Sequence, residues 1–144
     1  MRISNKRANF EYQLQGDRFE VGIALTGGEA KAVRTGHADL SQALARVLNG
    51  EAYLINASIP VSGAKNYNAT RTRKLLLHKQ EIVSISTVAK QQKLTLVPTK
   101  LYTKGHLIKL ELALGKPKRK FEKKEAIKRK DIEREIAREL KIGN

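Results

Sequence analysis

The chain has 144 residues, of which 29 are Lys or Arg and 14 are Asp or Glu, so it carries a net charge of +15. That length suits one domain with an appendage, and 40% hydrophobic residues can build a modest core, which excludes wholesale disorder. The basic excess points to a polyanion, nucleic acid before an anionic membrane surface, and no run of about 18 apolar residues is present to span a bilayer.

In chain order, the start Met1-Arg2-Ile3-Ser4-Asn5-Lys6-Arg7 lacks the apolar run of a signal peptide. With no cysteine there is no disulfide and no thiolate zinc site, and a cytoplasmic location is expected. Gly16-Asp17 reads as a turn feeding a strand from Phe19 to Leu25. Gly28 to Thr35 reads as a short helix closed by Gly36. Asn49-Gly50 between apolar runs is a strong short hairpin signal. Lys79 to about Gln92 has Ile82, Val83, Ile85, Val88 and Ala89 near helical spacing. Leu94 to Tyr102 reads as a strand in which Pro98 demands an edge or a bulge. Lys104-Gly105 then turns the chain into Ile108, Leu110, Leu112 and Leu114, alternating with Lys109, Glu111 and Ala113 at the strand period of two.

About six strands, short turns and a small helix or two predict a mainly β fold. An OB-like closed small barrel is expected, because an isolated sheet of this size would leave its edges exposed. The composition changes at Gly115, where β-branched and aromatic residues thin out. Residues 1–115 hold 17 basic and 8 acidic groups, a net of +9, and residues 116–144 hold 12 and 6, a net of +6. The expected domains are therefore a barrel at 1–115 and a basic C-terminal tail at 116–144, disordered or helical.

An enzymatic reading finds little support. His37, His78 and His106 fall in three different elements or turns without metal-ligand spacing, so no metal site and no cofactor are expected. No two acids of the barrel form an evident acid-base pair, and no phosphate-binding glycine loop occurs. Glu29 is the only acid among Lys31, Arg34 and His37. It reads either as a first-turn carboxylate complementing the helix dipole or as an acceptor for base edges inside a basic patch.

In "TRTRKLLLHKQEI", residues 70 to 82, Arg71, Arg73 and Lys74 stand directly against three leucines. Like charges so close repel unless something negative sits opposite. The cluster reads as a solvated strand or helix start, or as a phosphate-facing patch with Tyr67 just upstream and Lys6-Arg7 as a second cluster. Aromatic residues make up 5% of the chain, which suits phosphates of a folded duplex-like RNA better than a stacking surface for many bases.

In the tail, a helical wheel puts Phe121, Ile132, Ile136 and Leu140 on one side, with Lys123, Lys130, Arg134, Arg138 and Lys141 opposite. Glu125 and Arg129 intrude on the apolar stripe. Such a segment is marginal alone and helical when docked, or else a disordered basic extension.

"NKRANFEY" from 5, "GIALTGGEAKAVRTGHADL" from 22, "NGEAYL" from 49 and "TRTRKLLLHKQEI" from 70 together resemble the small protein B family, the SsrA-binding proteins. The resemblance runs from about Asn5 to about Ile132. It implies an OB-like barrel that binds the transfer-RNA-like part of transfer-messenger RNA and escorts it into stalled ribosomes for trans-translation, the rescue that tags the nascent chain. By position it implies Asn5, Lys6, Arg7, Glu29, Lys31 and Arg34 facing the RNA, with Arg71, Arg73 and Lys74 nearby. It also implies a tail that meets ribosomal RNA in the decoding centre and empty messenger channel through Lys116, Lys118, Arg119, Lys120, Phe121, Glu122, Lys123, Lys124, Lys128, Arg129, Lys130, Ile132 and Ile136. The family's Asp-Lys-Arg tail signature falls on Glu122, Lys123 and Lys124. Pro117 stands where the family has Gly, and Phe121 where it has Tyr or His. A monomer without enzymatic activity and without a membrane partner is expected. The competing readings are a barrel-type ribosomal or general RNA-binding protein, and a membrane-surface protein using the tail's basic face.

Overall fold

The computed structural model describes residues 1–63, 67–119 and 134. Along the chain run β1 (Arg2–Ser4), α1 (Ala8–Glu11), β2 (Tyr12–Ile23), α2 (Gly27–Arg34), β3 (Leu44–Leu48), β4 (Glu51–Ile55), β5 (Arg73–Leu76), α3 (Lys79–Gln92), β6 (Thr95–Lys104) and β7 (Leu107–Pro117). The strands form one antiparallel sheet in the order β1-β6-β3-β4-β5-β2-β7, and β6 also pairs with β7. That last pairing closes β6-β3-β4-β5-β2-β7 into a ring, with β1 added along β6. The predicted barrel is present, with six strands in the ring and β1 as a seventh strand of the sheet outside it. Its wall is uneven: β6 and β7 pair along most of their length, β2 and β5 touch at two residue pairs, and β3 and β6 at Ala45↔Leu96 alone.

Alternation explains what fills the ring. Leu54, Leu75, Leu101, Leu110 and Leu112 are each at most 1% exposed and meet inside. A side chain of that size contributes about 1.5–3 kcal/mol when fully buried. Helix α3 has the predicted bounds and delivers Ile82 and Ile85 to the interior. Asn49 and Gly50 both have positive φ, 51° and 76°, as a two-residue turn between twisted strands requires. Pro98 sits at a register shift between Pro98 and Lys100, so its missing N–H falls at a bulge, as predicted.

Two differences from the sequence expectations have local causes. Gly16-Asp17 does not begin a new strand. β2 pairs with β7 on both sides of it, and the register shifts between Gln15 and Phe19, so the predicted turn is a bulge with Gly16 at φ 71°. Arg73 and Lys74 of the cationic cluster open strand β5, in line with the strand reading, and Arg71 lies just before it. The second difference concerns the barrel's end: β7 continues past Gly115, with Lys116 opposite Gln13 and Pro117 opposite Tyr12. Lys118 N–H then donates to the Glu11 carbonyl at 2.9 Å, and its Nζ to the Asn9 carbonyl at 2.6 Å. Gly115 marks a close approach of strands rather than a boundary, because a Cβ there would lie 3.0 Å from both Tyr12 Cβ and Leu14 Cδ2.

Candidate nucleic-acid interface

The site is built from the N-terminus of α2 outward. Thr26 caps the helix by accepting from Glu29 N–H at 3.2 Å, and Glu29 Oε1 accepts from Thr26 N–H at 2.9 Å, a reciprocal capping box. The same carboxylate then faces β5. Its Oε2 accepts from Arg73 Nε at 2.8 Å and Arg71 Nε at 3.1 Å, and the Tyr67 hydroxyl donates to it as well. Arg73 Nη1 and Nη2 donate to the carbonyls of Ala57 and Ala69, at 2.5 and 2.8 Å, and Nη2 also donates to the Tyr67 hydroxyl. Glu29 and Arg73 are both 0% exposed, whereas the Arg71 side chain keeps 36% of its surface. Burial pushes the Glu29 carboxyl up, but the hydrogen bonds from Arg71, Thr26, Tyr67 and Arg73 outweigh it and hold the pKa at about 2.

This arrangement changes the reading of two predicted contacts. Glu29 has no surface left for a base edge, and Arg73 has none for a phosphate. The negative partner of the arginines is the chain's own Glu29. The strand period separates the cluster, since Arg73 and Leu75 point inward while Lys74 and Leu76 point out. Leu76 is 56% exposed, so it does not anchor the strand as a core leucine would. Lys74 Nζ instead meets Glu51 Oε1 at 3.1 Å on the surface. The lock also fixes loop geometry, because Tyr67 and Ala69 are held by residues of two other elements.

Asn5 is a bracket of the same kind. It is 9% exposed, donates from Nδ2 to the Pro98 carbonyl at 2.7 Å and accepts from Arg7 N–H at 3.2 Å. It thereby presents Lys6 and Arg7, both exposed, with Arg7 also paired to Glu11 at 2.9 Å. Lys31 and Arg34 project from the exposed side of α2, and Arg34 Nη2 donates to the His106 carbonyl at 2.9 Å. Lys31 borders a shallow depression of about 580 Å³ shared with Thr35, His37 and Val61. Gly28 permits that closeness, since a Cβ there would lie 2.7 Å from Val61 Cγ1.

Of the tail residues, Lys116 and Arg119 are exposed and Lys118 is pinned to the carbonyl of Asn9 in α1. Lys120, Phe121, Glu122, Lys123, Lys124, Lys128, Arg129, Lys130, Ile132 and Ile136 lie outside the described residues, as does the expected tail helix around them. Sequence reasoning missed Tyr67 and the Ala57 and Ala69 carbonyls as parts of the lock. Among the described residues no group of three His, Asp or Glu side chains could hold a metal, and no helix is long and apolar enough to cross a membrane.

A small antiparallel barrel, basic outside and locked inside by a carboxylate between two guanidiniums, is the class of protein these features define. The family described as SmpB protein matches residues 2–142, and the chain belongs to it. The SsrA-binding protein of Halalkalibacterium halodurans is 41% identical over 143 residues, covering 97% of this chain and 92% of the relative. That of Deinococcus radiodurans is 45% identical over 141 residues, covering 96% and 95%. A solved chain described as "tmRNA-SmpB: a journey to the center of the bacterial ribosome" is 37% identical with a TM-score of 0.69, covering 88% of this chain and 94% of the other.

Proposed function

We propose that this chain binds the transfer-RNA-like domain of transfer-messenger RNA and delivers that RNA to stalled ribosomes, where the nascent chain is tagged for degradation. The observation that carries the reading is the family match across residues 2–142, with SsrA-binding relatives aligned over nearly the whole chain. Its action is binding and delivery, with no covalent step of its own, in the cytoplasm and as a monomer.

The charge pattern supports a division of labour. Lys6, Arg7, Lys31, Arg34, Lys74 and the exposed part of Arg71 take RNA phosphates, while Asn5, Glu29 and Arg73 hold them in place from beneath. Each neutralised phosphate releases counterions, so affinity falls with salt by about 0.7–0.9 in slope per contact. The tail from Lys116 onward meets the ribosome. Its predicted basic face answers ribosomal RNA, and Phe121, Ile132 and Ile136 order it on docking.

The test separates barrel from tail. A chain ending at Arg119 keeps β7 and the Lys118 bonds, and loses nine basic and six acidic residues. It should bind the transfer-RNA-like domain in a gel shift, more weakly because a charge of +3 is gone. Tagging of a nascent chain on a ribosome stalled on a truncated message should disappear. Ile132→Asp with Ile136→Asp should reproduce the tagging defect with the gel shift unchanged. Full tagging by the shortened chain would reduce the tail to a dispensable extension, and loss of the gel shift for the intact chain would remove the reading itself.

A further inference from the structure

One aromatic side chain on the outer wall has no part in the lock or in the cationic contacts above. In the registers of β3, β4 and β5, Arg46 stands opposite Tyr53 and Tyr53 opposite Lys74. Directly opposed residues share a face of the sheet, so the three form one cross-strand row. The row points outward, because the flanking Ala45, Ala52, Leu54 and Leu75 are all buried. Neighbouring strands lie about 4.8 Å apart, which places one cation a single strand spacing to each side of the ring.

The ring is pre-set. Tyr53 Oη donates to Glu51 Oε2 at 2.7 Å, and Lys74 Nζ reaches the other oxygen of the same carboxylate at 3.1 Å. Arg46 makes no ion pair among the described residues and stays free for an outside partner. The wall beside the row is apolar and low. Leu48 and Leu76 are 51% and 56% exposed, and the residue opposite Leu76 is Gly22, which has no side chain to rise above it.

We propose that Tyr53 is the seat of one unpaired nucleobase in a single-stranded RNA segment, with Arg46 and Lys74 on the phosphates to either side. This rests on the reading that the chain binds RNA, and it names a contact of a different kind from the phosphate contacts of a folded domain. An aromatic face accepts any base by stacking, and flanking cations hold the strand across it. A cation–aromatic row that only stiffened the sheet would add a little stability at such an exposed site and would bind nothing.

The experiment uses the full chain and a six-nucleotide uridine RNA carrying one 2-aminopurine, whose fluorescence is quenched on stacking. The unmodified protein should quench it. Tyr53→Leu should abolish the quench and weaken binding about tenfold, while its salt slope stays unchanged. Tyr53→Phe should keep both quench and affinity although it loses the bond to Glu51, which separates a stacking face from a structural phenol. Arg46→Ala should lower the salt slope by about 0.7. Thermal unfolding of each variant accompanies the titrations, and Tyr53→Thr, a strand-compatible residue, replaces the Leu variant where that one is unfolded. Quench and affinity kept without the ring, or lost equally in Tyr53→Phe, would overturn the seat. A gel shift of the unmodified protein with the transfer-RNA-like domain distinguishes this from failure of the parent reading: with the shift present, only the seat falls.

Discussion

Arg73 and Lys74 are neighbours in the chain and occupy different solvents. The interior at β5 and α2 holds a carboxylate and a guanidinium with no exposed surface, every guanidinium nitrogen bonded at 2.5–2.8 Å and Nη2 also to the Tyr67 hydroxyl. The outer wall, one residue away, holds a lysine whose side chain is 51% exposed and whose ion pair with Glu51 is bathed in water. The contrast teaches that a basic run in a sequence is not by itself a binding patch. A strand divides its charges between faces, and an inward charge is tolerated only when the fold supplies its counter-ion and fills its remaining hydrogen bonds.

The largest expected effect breaks the inner region. Glu29→Ala leaves Arg73 buried without a counter-charge, which should cost about 3–5 kcal/mol. A urea unfolding series reads it as a lower midpoint. Glu29→Ala combined with Arg73→Met should recover part of that loss, since it removes the unpaired buried charge. A loss below 1 kcal/mol for Glu29→Ala alone would mean that the carboxylate serves the helix cap and little else.

Acid should reproduce part of this without any substitution. The folded-state pKa of Glu29, about 2, lies below the ordinary glutamate value of about 4.3, so folding favours the charged form. The stabilisation is therefore fully present above about pH 4.5 and is lost as pH falls through 4 towards 2. Allowing for screening at the partly exposed Arg71, it should amount to roughly 1–2 kcal/mol. The stability–pH curve of Glu29→Ala should be flatter over that window, and parallel curves would show that the lock does not titrate there.

The lock also shows where sequence reasoning stopped. The Asn49-Gly50 hairpin, the α3 bounds and the alternation of Leu110, Leu112 and Leu114 were legible because their signals are local: two residues, a helical period, a strand period. Glu29 meets Arg71 and Arg73 from 42 and 44 residues away, and no local pattern encodes that distance. In the four-residue strand β5 the inward positions are Arg73 and Leu75 and the outward ones Lys74 and Leu76, so polarity gives no contrast between the faces. What betrayed a binding protein was the charge and the resemblance. What concealed the lock was that its members share the residue types of the surface. The three residues of β1 are too few to show any period.

The smallest effect on stability is expected on the outer region, and it sharpens the comparison most. Lys31 and Arg34 are exposed on α2, and among the described residues neither pairs with a carboxylate. Replacing both by Ala should leave the unfolding free energy within about 0.5 kcal/mol, as for surface positions without special contacts, apart from the small share of the Arg34 bond to His106. Affinity for the transfer-RNA-like domain should still drop, and the slope of log affinity against log salt should flatten by about 1.4–1.8, two phosphate contacts' worth. Arg71→Ala should lie between the two regions, losing stability through Glu29 and about one contact from the slope. Arg73→Met with Glu29→Ala should leave the slope unchanged, because neither charge reaches solvent. If instead that buried pair flattened the slope as much as Lys31 and Arg34 do, the RNA would have to open the lock on binding. The division between an inner frame and an outer contact surface would then fail at its most specific point.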